Sequence, residues 1–177
     1  MFLLLGNELI VSSSSTLLHL GLGPGVSALM MEVGVEKGIL TTEAIKALPL
    51  TLSVRISVVP HIDWIKWSDT YTYYGFGGGV AVIPTLHGYM GKLTDALKNL
   101  DAYLGFGFSP AYHYSESSYK YPPTYKWNKD HTQMAGLSFS STMGVMFKNR
   151  KGDGIFSMEI LIAGLRGAYM FKYIKKL

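Results

Sequence analysis

Three neighbouring residues near the middle of the chain carry side chains that could perform acyl transfer. They are His113, Ser115 and Glu116, in the run His-Tyr-Ser-Glu. Residues two apart on a strand share a face, so His113 could act as base to the Ser115 hydroxyl if a carboxylate orients the imidazole. The run is short, however, and Ser115 opens a serine-rich stretch. We favour a histidine at a strand end beside a polar loop, and we predict no catalytic residue.

No other motif indicates a cofactor or a metal site. The run Gly75-Phe-Gly-Gly-Gly79 lacks the spacing of a dinucleotide-binding loop. The chain has no cysteine, and none of its five histidines are spaced along the sequence like zinc ligands. We therefore predict neither a cofactor nor a bound metal.

Many ionisable residues of the chain fall at every second position of the alternating segments, on the side opposite to the apolar residues. Because successive side chains of a strand point to opposite faces, residues of one parity would all face the interior of a barrel. They are Glu32, Glu36, Arg55, Asp63, Asp101, Glu159, Lys172, His19, His61, His87 and His113. Charges in a closed interior must pair. We therefore predict a network of Glu32, Arg55, Asp101 and Glu159 that fills the lumen; the alternative is a narrow gated conduit.

The last third of the chain shows the alternation of apolar and polar residues that would place polar side chains inside a barrel and apolar side chains outside. Between Leu137 and Phe147 every second residue is mostly apolar, and the residues in between are mostly small or polar. The pattern resumes after a turn at residues 149–154 and again after Arg166. Segments of about ten residues suffice for a tilted strand to cross a bilayer, whereas no run approaches the ~18 apolar residues of a spanning helix. The pattern predicts an all-β fold, an eight-stranded antiparallel up-and-down transmembrane β-barrel.

Earlier segments continue this pattern. Strands are predicted at residues 16–23, 28–37, 50–64, 74–89 and 100–115, with three more between 133 and 177. Residues 41–49 could form one helical turn, residues 92–99 are compatible with a helix, and residues 115–132 are predicted to form the longest loop. We assign residues 1–15 to a leader or disordered N-terminus and residues 16–177 to the barrel domain. With the N-terminus periplasmic, the longest loop lies on the outer side.

Aromatic residues gather at the predicted ends of the strands. Those at the outer ends are Trp64, Trp67, Tyr71, Tyr73, Tyr74, Tyr112 and Tyr114, and those at the inner rim are Phe147, Phe171 and Tyr173. Such rings favour the headgroup level of a membrane. In the longest loop, Tyr119, Tyr121, Tyr125 and Trp127 could bind a surface partner or a sugar. We favour the simpler interpretation, a loop whose aromatic residues rest on lipid headgroups.

The overall charge does not indicate a nucleic-acid partner. The 16 Lys and Arg residues outnumber the 12 Asp and Glu residues and give a net charge of +4. The basic residues are scattered or lie in turns, whereas a nucleic-acid-binding protein concentrates them on one face. We therefore predict no nucleic-acid binding.

Glycine- and aromatic-rich runs of the chain resemble those of the small bacterial outer-membrane β-barrels of the eight-stranded OmpA/OmpX type. The runs are Tyr73-Tyr-Gly-Phe-Gly-Gly-Gly79, Leu86-His-Gly-Tyr89, Leu100-Asp-Ala-Tyr-Leu-Gly105 and Phe156-Ser-Met-Glu-Ile-Leu-Ile-Ala-Gly164. Such barrels usually end in Phe or Trp, whereas this chain ends in Tyr173-Ile-Lys-Lys-Leu177. The resemblance implies a monomer in the bacterial outer membrane, in contact with outer-membrane lipid and lipopolysaccharide. It implies a structural or surface-interaction role without catalysis, with residues 115–132 meeting an external ligand or partner.

Three alternatives remain open. Outer-membrane lipid A deacylases are eight-stranded barrels with a His-x-Ser arrangement and a glutamate, which His113, Ser115 and Glu116 resemble. A soluble lipocalin-like barrel would place its apolar residues inside and bind a ligand there. A small channel would use the polar interior for conduction.

Overall fold

A closed ring of eight antiparallel strands forms the fold in a computed structural model, in which each strand pairs with the next and β1 pairs with β8. The structure describes residues 10–25, 28–45, 48–120, 127–149, 154–164 and 166–177, without the side chains of residues 43–45, 48, 66–68 and 92. The strands are β1 (Thr16–Pro24), β2 (Ala28–Ile45), β3 (Leu48–Ser68), β4 (Tyr71–Tyr89), β5 (Leu100–Lys120), β6 (Trp127–Lys148), β7 (Ile155–Ala163) and β8 (Arg166–Lys176). The predicted up-and-down barrel is confirmed.

The outer wall of the barrel is apolar and its interior is charged. Ile56, Phe106 and Phe139 point outward and are 52%, 57% and 55% exposed. Arg55 and Glu159 point inward and are 0% and 5% exposed. An apolar exterior around a polar interior is the arrangement that hydrocarbon surroundings require. The fold is therefore that of a transmembrane barrel, and the alternative of a soluble lipocalin-like barrel is wrong.

The two ends of the barrel differ in their connections. We call the end that carries the start of β1 and the end of β8 the inner end, and the opposite end the outer end. Residues 92–99, expected to be helix-compatible, contribute to two short 3-10 turns, Met90–Lys92 and Asp95–Leu97, at the inner end. In the described ranges, no helix combines the length and the hydrophobicity needed to cross a bilayer.

Residues 41–45 and 48–49 lengthen β2 and β3 instead of forming the expected helical turn, and residues 46–47 lie outside the described ranges. Thr42 pairs with Leu50, and Ile45 pairs with Leu48. The helical propensity of such a short segment is weak, and pairing between neighbouring antiparallel strands overrides it. The expectation of a helical turn was wrong.

The strands differ in length, and the longer ones extend beyond the outer end. Strands β1, β7 and β8 contain 9, 9 and 11 residues, whereas β3 to β6 contain 19 to 22. Strand β2 pairs with β3 only as far as Asp63, and β7 pairs with β6 only as far as Ser140. Beyond these points a four-stranded sheet continues alone. We call it the outer sheet; it comprises residues 64–68, 71–74, 116–120 and 127–139.

Most of the predicted loop at residues 115–132 belongs to this outer sheet. The β5–β6 register continues without a break from Ser115 opposite Thr132 to Lys120 opposite Trp127. Tyrosine and threonine favour strands, and directly opposed side chains stabilise a sheet. The prediction of a loop over the whole range was therefore wrong, because composition was given more weight than pairing.

Residues that precede β1 pack against the inner end. Ile10 and Val11 are buried in an apolar cluster together with side chains of β1, β5, β6, β7 and β8. The carbonyl oxygen of Val11 accepts a hydrogen bond from the Thr51 hydroxyl at 3.1 Å. Residues 10–15 belong to the segment assigned above to a leader or disordered N-terminus; residues 1–9 of that segment lie outside the described ranges.

Candidate functional site

Arg55 lies at the centre of a charged network inside the barrel. Its Nη1 donates hydrogen bonds to both carboxylate oxygens of Glu159, at 2.9 and 3.3 Å, and its Nε donates to Glu36 Oε2 at 3.2 Å. The guanidinium carbon also lies 5.3 Å from the ring centroid of Tyr103, whose hydroxyl donates to Glu159. In a ring of eight strands, β3 and β7 are opposite each other. The pair of Arg55 with Glu159 therefore crosses the whole lumen.

A second cation, Lys172 of β8, extends the network. Its ammonium group forms ion pairs with Glu32 and Glu159. Glu32 lies 3.8 Å from Arg55 Nη1 and accepts a hydrogen bond from the hydroxyl of Ser57. Because buried charges are costly unless each is paired, these contacts offset the hydration that the charges lose.

Asp101 joins this network through a histidine and not through Arg55. Its Oδ1 lies 3.7 Å from Nδ1 of His87, and Nε2 of His87 is hydrogen-bonded to Glu36. His19 contacts the same carboxylate, with its Nε2 2.9 Å from Glu36 Oε2. The carboxylate of Glu36 therefore connects Arg55 to the two histidines.

The structure thus brings three of the four predicted network residues into contact. Glu32 and Glu159 lie around Arg55, whereas Asp101 is separated from Arg55 by intervening side chains. The predicted network did not include Glu36 or Lys172, although both have the inward parity. Parity identifies the face of a strand, but it does not indicate which side chains meet across a lumen.

The side chains considered for acyl transfer do not form the arrangement that this chemistry requires. His113 and Ser115 share the inner face of β5 and are both buried. The imidazole of His113 is hydrogen-bonded to His61 at 3.1 Å and to the Tyr73 hydroxyl at 3.0 Å, and not to Ser115. Glu116 points to the opposite face of β5, so its carboxylate cannot orient that imidazole.

A separate polar cluster lies at the outer mouth of the barrel. This outer-mouth cluster consists of His61, Asp63, Tyr73, His113 and Arg166. Nε of Arg166 lies 3.1 and 3.0 Å from Oδ1 and Oδ2 of Asp63. The imidazoles of His61 and His113 are stacked, with centroids 5.3 Å apart and planes inclined by 17°. Tyr73 was predicted to belong to the aromatic girdle; it faces the interior instead, because the next residue along β4 takes the outward position.

Other aromatic residues do line the outside near the ends of the strands. Trp64, Tyr74 and Tyr112 are exposed on the outward face. The side chain of Trp67 is among those that the structure does not describe. At the inner rim the Phe156 ring centroid lies 6.3 Å from that of Phe147 and 5.8 Å from that of Tyr173, as the members of an aromatic girdle would.

Cross-strand pairs stabilise the outer part of the β5–β6 hairpin. Lys129 Nζ lies 3.0 Å from Glu116 Oε1. The Tyr114 hydroxyl is hydrogen-bonded to Nδ1 of His131 at 2.8 Å. The hydrogen bond from Lys129 lowers the pKa of the Glu116 carboxyl below its ordinary value. These pairs are the type of side-chain contact that stabilises neighbouring strands.

The four aromatic residues predicted to bind a surface partner do not share one environment. Trp127 is exposed and lies beneath the ammonium group of Lys120, which is 4.5 Å from the ring centroid. Tyr119 lies in β5 opposite Asn128. Tyr121 and Tyr125 lie outside the described residues.

One edge of the outer sheet is long and exposed. Along residues 129–139, β6 pairs with β5 on one side, and no described strand pairs with it on the other. Residues 129–137 have exposed side chains on both faces of the strand. An unpaired edge of this kind presents backbone donors and acceptors to another extended chain.

Comparisons with known proteins concern the fold. Neither a protein-family model nor a curated protein sequence matches the chain. Ail, the attachment invasion locus protein of Yersinia pestis, aligns with a TM-score of 0.51 and 9% sequence identity over 93% of this chain and 97% of Ail. The architecture is that of a small outer-membrane β-barrel.

Two further solved structures align with lower scores. Ail in complex with the heparin analogue sucrose octasulfate aligns with a TM-score of 0.47 and 8% identity, over 93% of this chain and 97% of Ail. The KdgM porin aligns with a TM-score of 0.25 and 8% identity, over 92% of this chain and 99% of the porin.

Proposed function

We propose that this protein is a bacterial outer-membrane barrel that presents the outer sheet to an external protein partner. The apolar wall and the aromatic rims support insertion as a monomer among outer-membrane lipid and lipopolysaccharide. In this role the barrel anchors the outer sheet and has no catalytic centre. Recovery of the protein in the outer-membrane fraction, with electrophoretic migration that changes on boiling, tests the location.

The lumen network supports an anchoring role over conduction. The interior of an eight-stranded barrel is just wide enough for side chains to fill it. Here the ion pairs of Arg55 with Glu36 and Glu159 occupy that width. We therefore propose that the network blocks passage through the barrel, which makes the outer surface the functional part of the molecule.

The single observation that carries the proposal is the exposed edge of β6 at residues 129–139. An extended peptide can pair with such an edge through its backbone, and side-chain contacts then provide specificity. The cross-strand contacts of Glu116 with Lys129 and of Tyr114 with His131 hold the edge in a strand conformation before a partner arrives. Binding to a pre-ordered edge avoids part of the entropy cost of ordering it.

The test uses the full chain folded in detergent micelles and a phage-displayed library of random peptides. We expect selected peptides to protect the backbone amides of residues 129–139 from hydrogen exchange. The matched variant replaces residues 113–134 by Asn-Gly, which retains the pairing of Tyr112 with Ala135 through a two-residue turn and removes more than half of the edge. This variant shortens the edge and leaves the barrel intact.

Selected peptides should bind this shortened variant much more weakly than the complete protein. Migration that changes on boiling shows that the variant is still folded. Equal binding of the peptides to both proteins, or protection of other strands only, would rule out the β6 edge as the binding surface.

A further inference from the structure

Two histidines of the outer-mouth cluster meet across an intervening strand. His61 on β3 and His113 on β5 both lie opposite Gly77 of β4, one on each side. Nε2 of His61 and Nδ1 of His113 are only 3.1 Å apart. Strands are about 4.8 Å apart, so these two backbones are separated by about twice that distance, and the imidazoles lean towards each other over the glycine.

Glycines on the inner face of β4 provide the space for this contact. A Cβ atom at Gly77 would lie 2.8 Å from Cε1 and 2.9 Å from Nε2 of His61. A Cβ atom at Gly75 would lie 2.8 Å from Cε1 of His113 and 3.0 Å from Oδ2 of Asp63. The glycine-rich run therefore forms a cradle that holds the two imidazoles and the carboxylate together.

We propose that His61, His113 and Asp63 form a binding site for a divalent transition metal of the zinc class. One nitrogen of each imidazole and one carboxylate oxygen lie within 4.8 Å of one another. Two ligands of a tetrahedral zinc ion, at 2.0–2.1 Å from the metal, are about 3.3 Å apart, close to the separation of the two nitrogens. Two imidazoles and a carboxylate are a ligand set that zinc accepts.

The groups around the ligands fit this assignment. The Tyr73 hydroxyl lies 3.0 Å from Nε2 of His113, so it can accept the proton of that nitrogen and leave Nδ1 free for a metal. Arg166 donates to the carboxylate of Asp63 and orients it. A carboxylate has about four acceptor positions, so Asp63 can bind a metal while it remains bonded to Arg166.

The site is also open to water. A cavity of about 110 Å³ is lined by His61, His113, Met134 and Gly136, among others. This volume is enough for several water molecules. Two of the three ligands, His61 and His113, line this cavity, which can supply water to the fourth position of the metal. Metal binding requires the proton of His61 Nε2 to move to Nδ1, because a metal replaces the hydrogen bond between the two imidazoles.

The test titrates ZnCl₂ into the full chain, folded in micelles and stripped of metal with EDTA, by isothermal titration calorimetry. We expect one zinc ion per chain. His61→Ala and His113→Ala should each abolish this binding, and Tyr73→Phe should weaken it about tenfold. His131→Ala is the matched control, because His131 lies on the outer sheet and its removal should not change zinc affinity.

Substitution with Co²⁺ gives a second measurement on the wild-type protein, in case a variant does not fold. Tetrahedral coordination by two imidazoles and a carboxylate should produce an intense visible absorption that EDTA removes. Absence of both zinc binding and this absorption in the folded wild type would overturn the proposal. So would zinc binding that survives in the folded His61→Ala and His113→Ala variants.

Discussion

Arg55 is a fully buried cation whose charge is balanced only by neighbouring side chains. Its guanidinium contacts Glu36 and Glu159 within 3.3 Å and has no exposed surface. Removal of one member of a buried ion pair leaves the others charged and without hydration, which costs more than the pair itself contributes. The loss of Arg55 should therefore destabilise the fold more strongly than the loss of an exposed side chain of similar size.

We expect Arg55→Ala to lower the free energy of unfolding by about 3–5 kcal/mol, because two buried carboxylates lose their shared cation. Urea titration of the protein in lipid vesicles, followed by tryptophan fluorescence, measures the change. Lys176→Ala provides the control, since this exposed side chain lies at the end of β8 and its loss should change stability by less than about 0.5 kcal/mol. A similarly small effect for Arg55→Ala would contradict the assignment of paired charges in the lumen.

For single residues, the sequence predicted correctly which side chains face the lumen, but it did not predict which of them contact each other. The parity of alternating segments placed Arg55 and Glu159 inside and Ile56 outside, as the structure shows. It could not predict that His61 and His113, 52 residues apart, would touch. Their contact depends on the β3–β4 and β4–β5 registers, which place both opposite Gly77, and register is not contained in either histidine's local sequence.

Among the secondary-structure elements, the outer part of the β5–β6 hairpin was the hardest to predict, because cross-strand contacts stabilise it and the local sequence does not indicate them. It extends beyond the apolar wall and is stabilised by pairs such as Glu116 with Lys129 and Tyr114 with His131. Strand positions within the membrane were predictable because one face had to be apolar. Residues 116–120 and 127–132 lack that constraint, so their alternation is weak and they resembled a loop.

We expect Glu116→Lys to speed amide hydrogen exchange a few-fold in the outer hairpin, because it places a like charge beside Lys129. The double variant Glu116→Lys with Lys129→Glu should restore most of the protection, since it re-forms the ion pair with reversed signs. In the wild type the pKa of Glu116 is lowered, so the pair stabilises the hairpin at neutral pH. This contribution is lost as the pH falls below the ordinary glutamate value of about 4.3, towards the lowered pKa.

Exchange mass spectrometry of peptides from the hairpin measures both effects. Peptides from β7 and β8 serve as the internal reference, because these strands lie outside the hairpin. Unchanged exchange in the single variant, or no recovery in the double variant, would show that the pair does not hold the hairpin.

As a whole, the molecule is an apolar shell around a lumen filled by paired charges. The pair of Arg55 with Glu159 crosses the lumen, and Lys172 and Glu32 occupy the space beside it. An ion that entered would have to displace these contacts. In the proposed function, the barrel wall serves as the membrane anchor and the outer sheet carries the binding surface.

We expect the folded wild-type protein to produce no stepwise conductance in planar bilayers, because an entering ion would have to displace the paired charges of the lumen network. Single-channel recording at low protein concentration measures this, with a 16- to 18-stranded porin in the same bilayers as the positive control, since such barrels enclose an aqueous channel. Steps of uniform size from the purified protein would contradict the proposal of a blocked lumen and favour the conduit.

The ring also has a consequence for how the chain folds. Leu17 pairs with Lys176 and Leu22 with Phe171, so the first strand finds one of its two neighbours only in the last. Every other pairing in the ring joins consecutive strands, and this one spans nearly the whole sequence. Contacts between residues far apart in sequence slow folding, because the loop entropy is lost before the contact forms. Closure must therefore wait until β8 has been synthesised, and until then β1 and the newest strand remain as two open edges that need protection from aggregation.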